Sequence, residues 1–311
     1  MRNGAYKTQT SQVSAQFINS NFVRKLDEGR TKEAEAEGSA FIRQKIRQES
    51  FAREVIEPIM LADDELDRDE NSDQPKKIIE KEPDSVATFV PFSGTGPQRW
   101  FTGPRFAVYF GKTESERFRK NKFELMTYQN DIRKILSDNS VKDMADQEDI
   151  FFRRTALGCV NANSGVQRTP AGAFTPSAFV RGSQAIIDRR LPMGKMLMTQ
   201  SLFQEAMNLP ATLVGDSIAR KHYEQGVEKE DSLWGMPVIT TAKTDVYNTK
   251  ECWMFAPQNY LGNFFLLQDA TLFIEQRADI VTFWTYAVPG IGIGNAEAIQ
   301  QIVFGQQSQI N

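Results

Sequence analysis

The chain has 311 residues, a formal charge of −3 from 37 basic and 40 acidic side chains, and 40% hydrophobic residues. That apolar content supports a packed core and excludes wholesale disorder, while the near-neutral charge excludes a basic groove that tracks nucleic acid along the whole chain. At about 150 residues per domain, the length points to about two domains.

The two cysteines, Cys159 and Cys252, form no CxxC pair, and His222 is the only histidine. Thiolate zinc and multi-histidine metal sites are thereby excluded, and a reducing compartment is expected. The apolar runs fall short of the ~20 residues of a membrane span. Residues 1–20 lack the apolar core of a signal peptide, so a soluble chain that is not exported by a cleaved signal is expected.

Residues 1–30, rich in Ser, Gln, Asn and Thr, read as a mobile or partner-ordered tail. Thr31 to Glu57 reads as one amphipathic helix that Pro58 stops, with Phe41, Ile42, Ile46 and Phe51 on its apolar side. That short stripe stands outside any obvious domain and calls for another surface to cover it. Residues 61–84 are acidic and read as a solvated linker. The segments 86–92 and 105–110 read as two strands, joined by a loop too long for a tight turn that carries Arg99, Trp100 and Phe101 where solvent is expected. An exposed aromatic loop tip points to a partner.

Residues 112–128 are amphipathic and highly charged. Helical spacing follows from Asp131, with a break at Asn139-Ser140 and a second helix from about Asp143 to Val160. Residues 161–176 read as loop. Short strands and helices then alternate: a strand at 196–199, a helix from Ser201 to about 207, a helix at 215–223, and strands at 234–241 and 250–256. Three strongly β segments follow from Asn263, and 296–304 reads as a short helix or strand.

The search for chemistry is nearly empty. Gly290, Gly292 and Gly294 miss the dinucleotide-loop spacing, because Asn295 stands where a glycine is needed, and they read as a flexible or tight turn. No G-x-S-x-G elbow occurs. His222 sits beside Lys221 on a polar helix, and Glu275, the carboxylate nearest an apolar context, has Arg277 to pair with. No catalytic, metal or cofactor residues are assigned.

The order of pieces, with Phe123–Ile132 followed by Asp138-Asn139 and Glu148-Asp149, then Leu191–Met198, then the G-x-P-V of Leu233–Thr240, resembles the major capsid proteins of tailed double-stranded DNA phages (the Hong-Kong-ninety-seven-type fold). The resemblance implies an α+β phage major capsid fold. Its parts would be an N-terminal arm (1–84), an extended two-stranded loop (85–112), a peripheral domain with a spine helix (113–176 and 264–311) and a mixed α/β axial domain (177–263).

It implies a structural subunit, not an enzyme, that self-assembles through hexamers and pentamers into the head shell of a virion in the host cytoplasm. Packaged double-stranded DNA would lie on its inner face without sequence-specific binding; scaffolding, portal and decoration proteins would be its further partners, and no membrane is involved. The candidate subunit contacts are Phe41, Ile42, Ile46, Phe51, Arg99, Trp100 and Phe101, and deleting residues 1–60 is expected to leave a folded, assembly-defective chain. Another virion component (portal, tail or decoration) is the alternative. An α/β enzyme working through His222 is a more distant one.

Overall fold

The computed structural model describes residues 3–68, 71–80, 87–98, 100, 103–128, 131–162, 166–172, 174–207, 232–233 and 235–305, with side chains from Ala15 onward. The polar N-terminus is a helix, α1 (Asn3–Asp27), and not a tail. Its Ser/Gln/Asn content hides a buried stripe of Ala15, Asn19, Val23 and Leu26 at helical spacing. Asn19 completes two backbone groups elsewhere: its Nδ2 donates to Leu125 O (3.1 Å), and its Oδ1 accepts from Ile132 N (2.8 Å).

The expected single arm helix is two, α2 (Thr31–Glu49) and α3 (Phe51–Val55), because Ser50 turns extended (ψ 117°) and caps the second. This arm is part of the core. Ile42 and Ile46 are fully buried against Leu136, Leu272 and Phe283, each stabilising by roughly 1.5–3 kcal/mol.

A short strand β1 (Pro58–Met60) follows, and then a correction to the linker reading: Lys76–Glu80 is strand β2, antiparallel to β3 (Arg105–Tyr109). The strand expected at 86–92 is not one; residues 87–92 are irregular and exposed, and Val86 lies outside the described residues. Strands β4 (Thr113–Glu114) and β5 (Phe118–Asn121) lead into α4 (Lys122–Thr127) and α5 (Ile132–Leu136).

The expected break at Asn139-Ser140 is a π-helical turn (Ser137–Val141), in which Asn139 Nδ2 donates to Ile135 O. The widened turn lets the helix run on into α6 (Lys142–Ala162). Besides a helical turn at Gln258–Leu261 and a 3-10 turn at Ala296–Ala298, the remaining elements are β6 (Arg168–Ala171), α7 (Pro176–Ile187), β7 (Lys195–Thr199), α8 (Gln200–Met207), β8 (Ser232–Leu233), β9 (Met236–Thr241), β10 (Glu251–Phe255), β11 (Gly262–Arg277), β12 (Ile280–Ile293) and β13 (Ile299–Phe304). The helix expected at 215–223, with His222, lies outside the described residues.

Two main sheets result. The first has the order β1-β11-β12-β4, with β5 also on β12; the second runs β6-β13-β10-β7-β9-β8. The segments containing β6 and β13, expected in the peripheral part, lie in the second sheet, where β6 pairs with β13 and β13 with β10.

Helix α2 lies along β11 and completes its main chain with side chains. Ser39 Oγ accepts from Leu272 N (2.9 Å), Glu35 Oε1 accepts from Ile274 N (2.9 Å), and Arg43 Nε donates to Ala270 O (2.9 Å). An edge that would otherwise present unpaired groups is thus covered by a helix.

Helix α6 passes from one core to the other. Met144 and Ala145 pack with the first sheet, and Phe152, Ala156 and Val160 with Trp253 and Phe255 of the second. The opposite face of the second sheet is closed by α7 and α8 through Phe179 and Phe203.

Candidate assembly surface and the buried charge cluster

Strand β3 alternates strictly, with Val108 buried, Phe106 half-buried, and Arg105, Ala107 and Tyr109 exposed. Its inward residues, together with buried Phe110, meet the glycines expected to form a turn. Those glycines instead continue β12 and the chain just beyond it as a smooth track. A methyl on Gly290 would lie 2.7 Å from Phe110 Cδ1, one on Gly292 would overlap Val108 Cγ2, and one on Gly294 would lie 2.5 Å from Phe106 Cζ. Glycine at every second residue is what lets a side chain of the crossing strand rest on backbone. Gly111 N donating to Pro289 O (3.1 Å) and Gln74 Nε2 donating to Phe110 O (3.1 Å) fasten the same end.

The seat aims the hairpin. Phe110 sits at Gly290 and Phe106 at Gly294, so β3 runs along β12 toward the end of that strand. The loop beyond carries Phe89, Phe92 and Trp100 at 109%, 113% and 97% exposure: none of the described residues covers them appreciably. Pro91 O accepts from Gly94 N (2.8 Å) and forms a tight turn between them. Trp100 is therefore exposed as the sequence reading required, while Arg99 and Phe101 lie outside the described residues.

The arm candidates are placed differently. Ile42, Ile46 and Phe51 face the chain's own interior, Phe51 edge-on to Phe152 (6.4 Å) and Tyr247 (6.1 Å). Phe41 is half-buried, on the wall of a 660 Å³ groove between α1 and α2 that also exposes Phe17.

Beneath the arm lies a charge cluster. Arg53 is bidentate to Glu148 (both 2.7 Å), and its Nη2 also donates to Asp269 (2.8 Å), which a β-bulge in β11 brings inward. Burial works against the Arg53 charge, but Glu148 and Asp269 outweigh it and hold its pKa above the ordinary arginine value.

Next to it, Asp149 Oδ1 accepts from Ser50 Oγ (2.9 Å) and Ala52 N (3.0 Å), and Oδ2 accepts from Lys243 Nζ (2.6 Å). Burial pushes the Asp149 carboxyl up to about 6, against the pull of Lys243, Ala52 N and Ser50. This is the carboxylate in an apolar context for which the sequence reading named Glu275. Glu275 is part-exposed and bonds Arg277 (2.8 Å). The signal that would have found Asp149 is its spacing: residues 145, 149, 152 and 156 form one buried stripe of α6 that includes a charge.

The outer face of the first sheet holds a stack. Phe273 lies between Trp284 (5.7 Å) and Tyr286 (5.1 Å), Arg117 covers Trp284 (5.0 Å) and Lys112 covers Tyr286 (4.7 Å). Glu114 bonds both cations (2.9 and 3.0 Å). Cations on ring faces at both ends pin residues 112–117 to the sheet.

Among the described residues no group of His, Cys, Asp or Glu could hold a metal ion, and no helix is long and apolar enough to cross a membrane. Burial raises the thiol pKa of both Cys159 and Cys252, which disfavours the reactive thiolate.

No protein-family model matches the sequence, and no curated protein is similar to it. The fold does match solved structures. A virus-like particle from Pyrococcus furiosus superposes with a TM-score of 0.57 at 13% identity, covering 86% of this chain and 98% of that one. The mature capsid of bacteriophage PhiM1 gives 0.58 at 7% identity over 83% and 88%. A chain of Microbacterium phage Oxtober96 gives 0.58 at 9% over 82% and 91%. The α+β fold is therefore that of phage capsid proteins.

Proposed function

We propose that this chain is a structural subunit, not an enzyme, that assembles with copies of itself into an icosahedral shell. The observation that carries the reading is the hairpin. A glycine-seated β-pair carries a loop with three fully exposed aromatics, Phe89, Phe92 and Trp100. Exposed side chains of that size are a liability in a monomer and anchors in an interface.

In this reading the first sheet with α1, α2 and α5 is the peripheral part, α6 is the spine, and the second sheet is the axial part. Trp100, with Arg99 and Phe101, contacts a neighbouring copy. Phe41 does so at the rim of the arm groove, while Ile42, Ile46 and Phe51 hold the arm in the shape the neighbour meets. A contact made by one patch on a different patch of the next copy is heterologous and closes into rings, here hexamers and pentamers.

The shell belongs to a virion assembled in the host cytoplasm, with scaffolding, portal and decoration proteins as further partners. It encloses double-stranded DNA, and the net charge of −3 suits an inner face that tolerates packaged DNA without reading its sequence.

The test is size-exclusion chromatography with light scattering, then negative-stain microscopy, on the full chain and on a Phe89→Ala/Phe92→Ala/Trp100→Ala variant. Rings or closed shells are expected from the wild type, and a monomer with unchanged melting temperature from the variant. A wild-type chain that stays monomeric at high concentration and with a scaffold candidate added, or a variant that assembles normally, overturns the reading.

A further inference from the structure

The cluster under the arm joins parts of the fold that are remote in sequence, and one member has two possible homes. Lys243 follows β9 of the second sheet; Asp149 is midway along α6; Ser50 and Ala52 belong to the arm. The Lys243 ammonium bonds Asp149 (2.6 Å), whose side chain is wholly buried, and Asp146 (2.8 Å), whose side chain is 19% exposed. Asp146 lines an open cavity of about 400 Å³ that also carries Glu114, Glu116, Asp143 and Asp245. The lysine therefore sits between a buried carboxylate and a solvent-facing acidic cavity. The negative potential of that cavity shows at Asp143, whose carboxyl is pushed up by burial, Asp146 and Glu116.

We propose that Lys243 is a proton-controlled latch: it pins the second sheet to α6 and the arm while Asp149 is ionised, and it moves to the acidic cavity when Asp149 takes a proton. This inference rests on the fold and not on the shell reading.

The charges around Asp149 support the assignment. From its own helix come Asp146 and Glu148, from the arm Arg53, from β11 Asp269, and from the β9 side Lys243. Arg53, Glu148 and Asp269 are committed to one another, which leaves Lys243 as the cation that answers Asp149. With Asp149 protonated, the half-buried Lys243 ammonium keeps Asp146 as its paired carboxylate, on the cavity side. The carboxylates still facing it are on the cavity side. Lys243 also lowers the affinity of Asp149 for its proton; by linkage, the proton lowers the hold on Lys243 equally.

Two effects of acid run in opposite directions and separate the latch from global unfolding. The folded Asp149 titrates at about 6, above the ordinary 3.8, so the folded state binds this proton more tightly than the unfolded state does. Its contribution to global stability is full below about pH 4 and is lost as pH rises through 6. The latch contact behaves oppositely: closed above 6, released below.

Hydrogen exchange of the full chain, read by mass spectrometry at pH 7 and pH 5 and corrected for intrinsic rates, tests this. The protonated fraction of Asp149 rises from about one in ten to about nine in ten. Exchange in the peptide spanning 242–247 is expected to rise about ninefold, that at 50–55 to rise with it, and that of β11 and β12 to stay constant. Asp149→Asn should exchange fast in 242–247 at both pH values.

Should Asp149→Asn fail to fold, Lys243→Met gives the same reading, fast and pH-independent. Wild-type exchange in 242–247 that does not change with pH overturns the latch. So does a rise shared equally by β11 and β12, or a pH response that survives in Asp149→Asn or Lys243→Met.

Discussion

Substituting Gly292 by alanine attacks the seat that aims the hairpin. In β12 the backbone is extended, so alanine carries no conformational penalty; the cost is steric. The new methyl would overlap Val108 Cγ2 and approach Phe106 Cε2 (3.5 Å), and Val108 is buried. Overpacking of this kind costs about 1–3 kcal/mol. The reciprocal change, Val108→Ala, removes two methyl groups, worth about 1.6 kcal/mol at about 0.8 kcal/mol each, with a cavity added. In the double variant the alanine methyl enters the space the valine vacated, so the total should fall short of the sum by about 1–2 kcal/mol. Urea unfolding at constant m-value measures it, as does the melting temperature at about 2–4 °C per kcal/mol. Gly158→Ala is the control. It lies in α6 with nothing within 4 Å of an added methyl, and it should stabilise by up to about 1 kcal/mol. Additivity of Gly292→Ala and Val108→Ala within about 0.5 kcal/mol would refute the seat.

Arg53→Met leaves Glu148 and Asp269 buried without their cation and should cost about 3–5 kcal/mol, lowering the melting temperature by about 10 °C. Arg53→Lys should also destabilise, because a single ammonium cannot reproduce the fork on Glu148. Asn19→Ala strands Ile132 N in a buried setting at about 1–3 kcal/mol, while Leu125 O keeps the longer bond from Tyr128 N (3.4 Å); its urea midpoint should fall, and the Ile132 amide should lose exchange protection.

What could be read from the chain was local. Strand β3, β7, β9, β10 and the two long strands β11 and β12 announce themselves by β-branched and aromatic content, and α6 by its stripe. What failed depended on distant partners. Residues 1–30 look polar when counted, yet one face is apolar, and that face matters only because α4, α5 and β12 lie beside it. The glycines at 290, 292 and 294 resemble a turn until Phe110, Val108 and Phe106 arrive from 180 residues away to fill them. Lys76-Lys-Ile-Ile-Glu80 reads as linker because its strand partner is β3, across a long loop. Glu148 and Asp149 look like surface charges until Arg53 and Lys243 close on them. Each error is a tertiary contact overriding a local signal.

The placement of the arm changes which experiments can speak to assembly. Removing residues 1–60 would take Val23, Leu26, Ile42 and Ile46 from the core around the first sheet. It would also remove the side-chain partners of Ala270 O, Leu272 N and Ile274 N on β11, and the Arg53 that neutralises Glu148 and Asp269. Four buried side chains at roughly 1.5–3 kcal/mol each already approach the 5–15 kcal/mol that holds a domain folded. Such a truncation should unfold rather than yield a folded, assembly-defective subunit, and its failure to form shells would carry no information about contacts. The loop is the reverse case. Phe89, Phe92 and Trp100 touch almost none of the described residues, so their removal should leave the intramolecular energy nearly unchanged, and any loss of assembly is attributable to the contact itself.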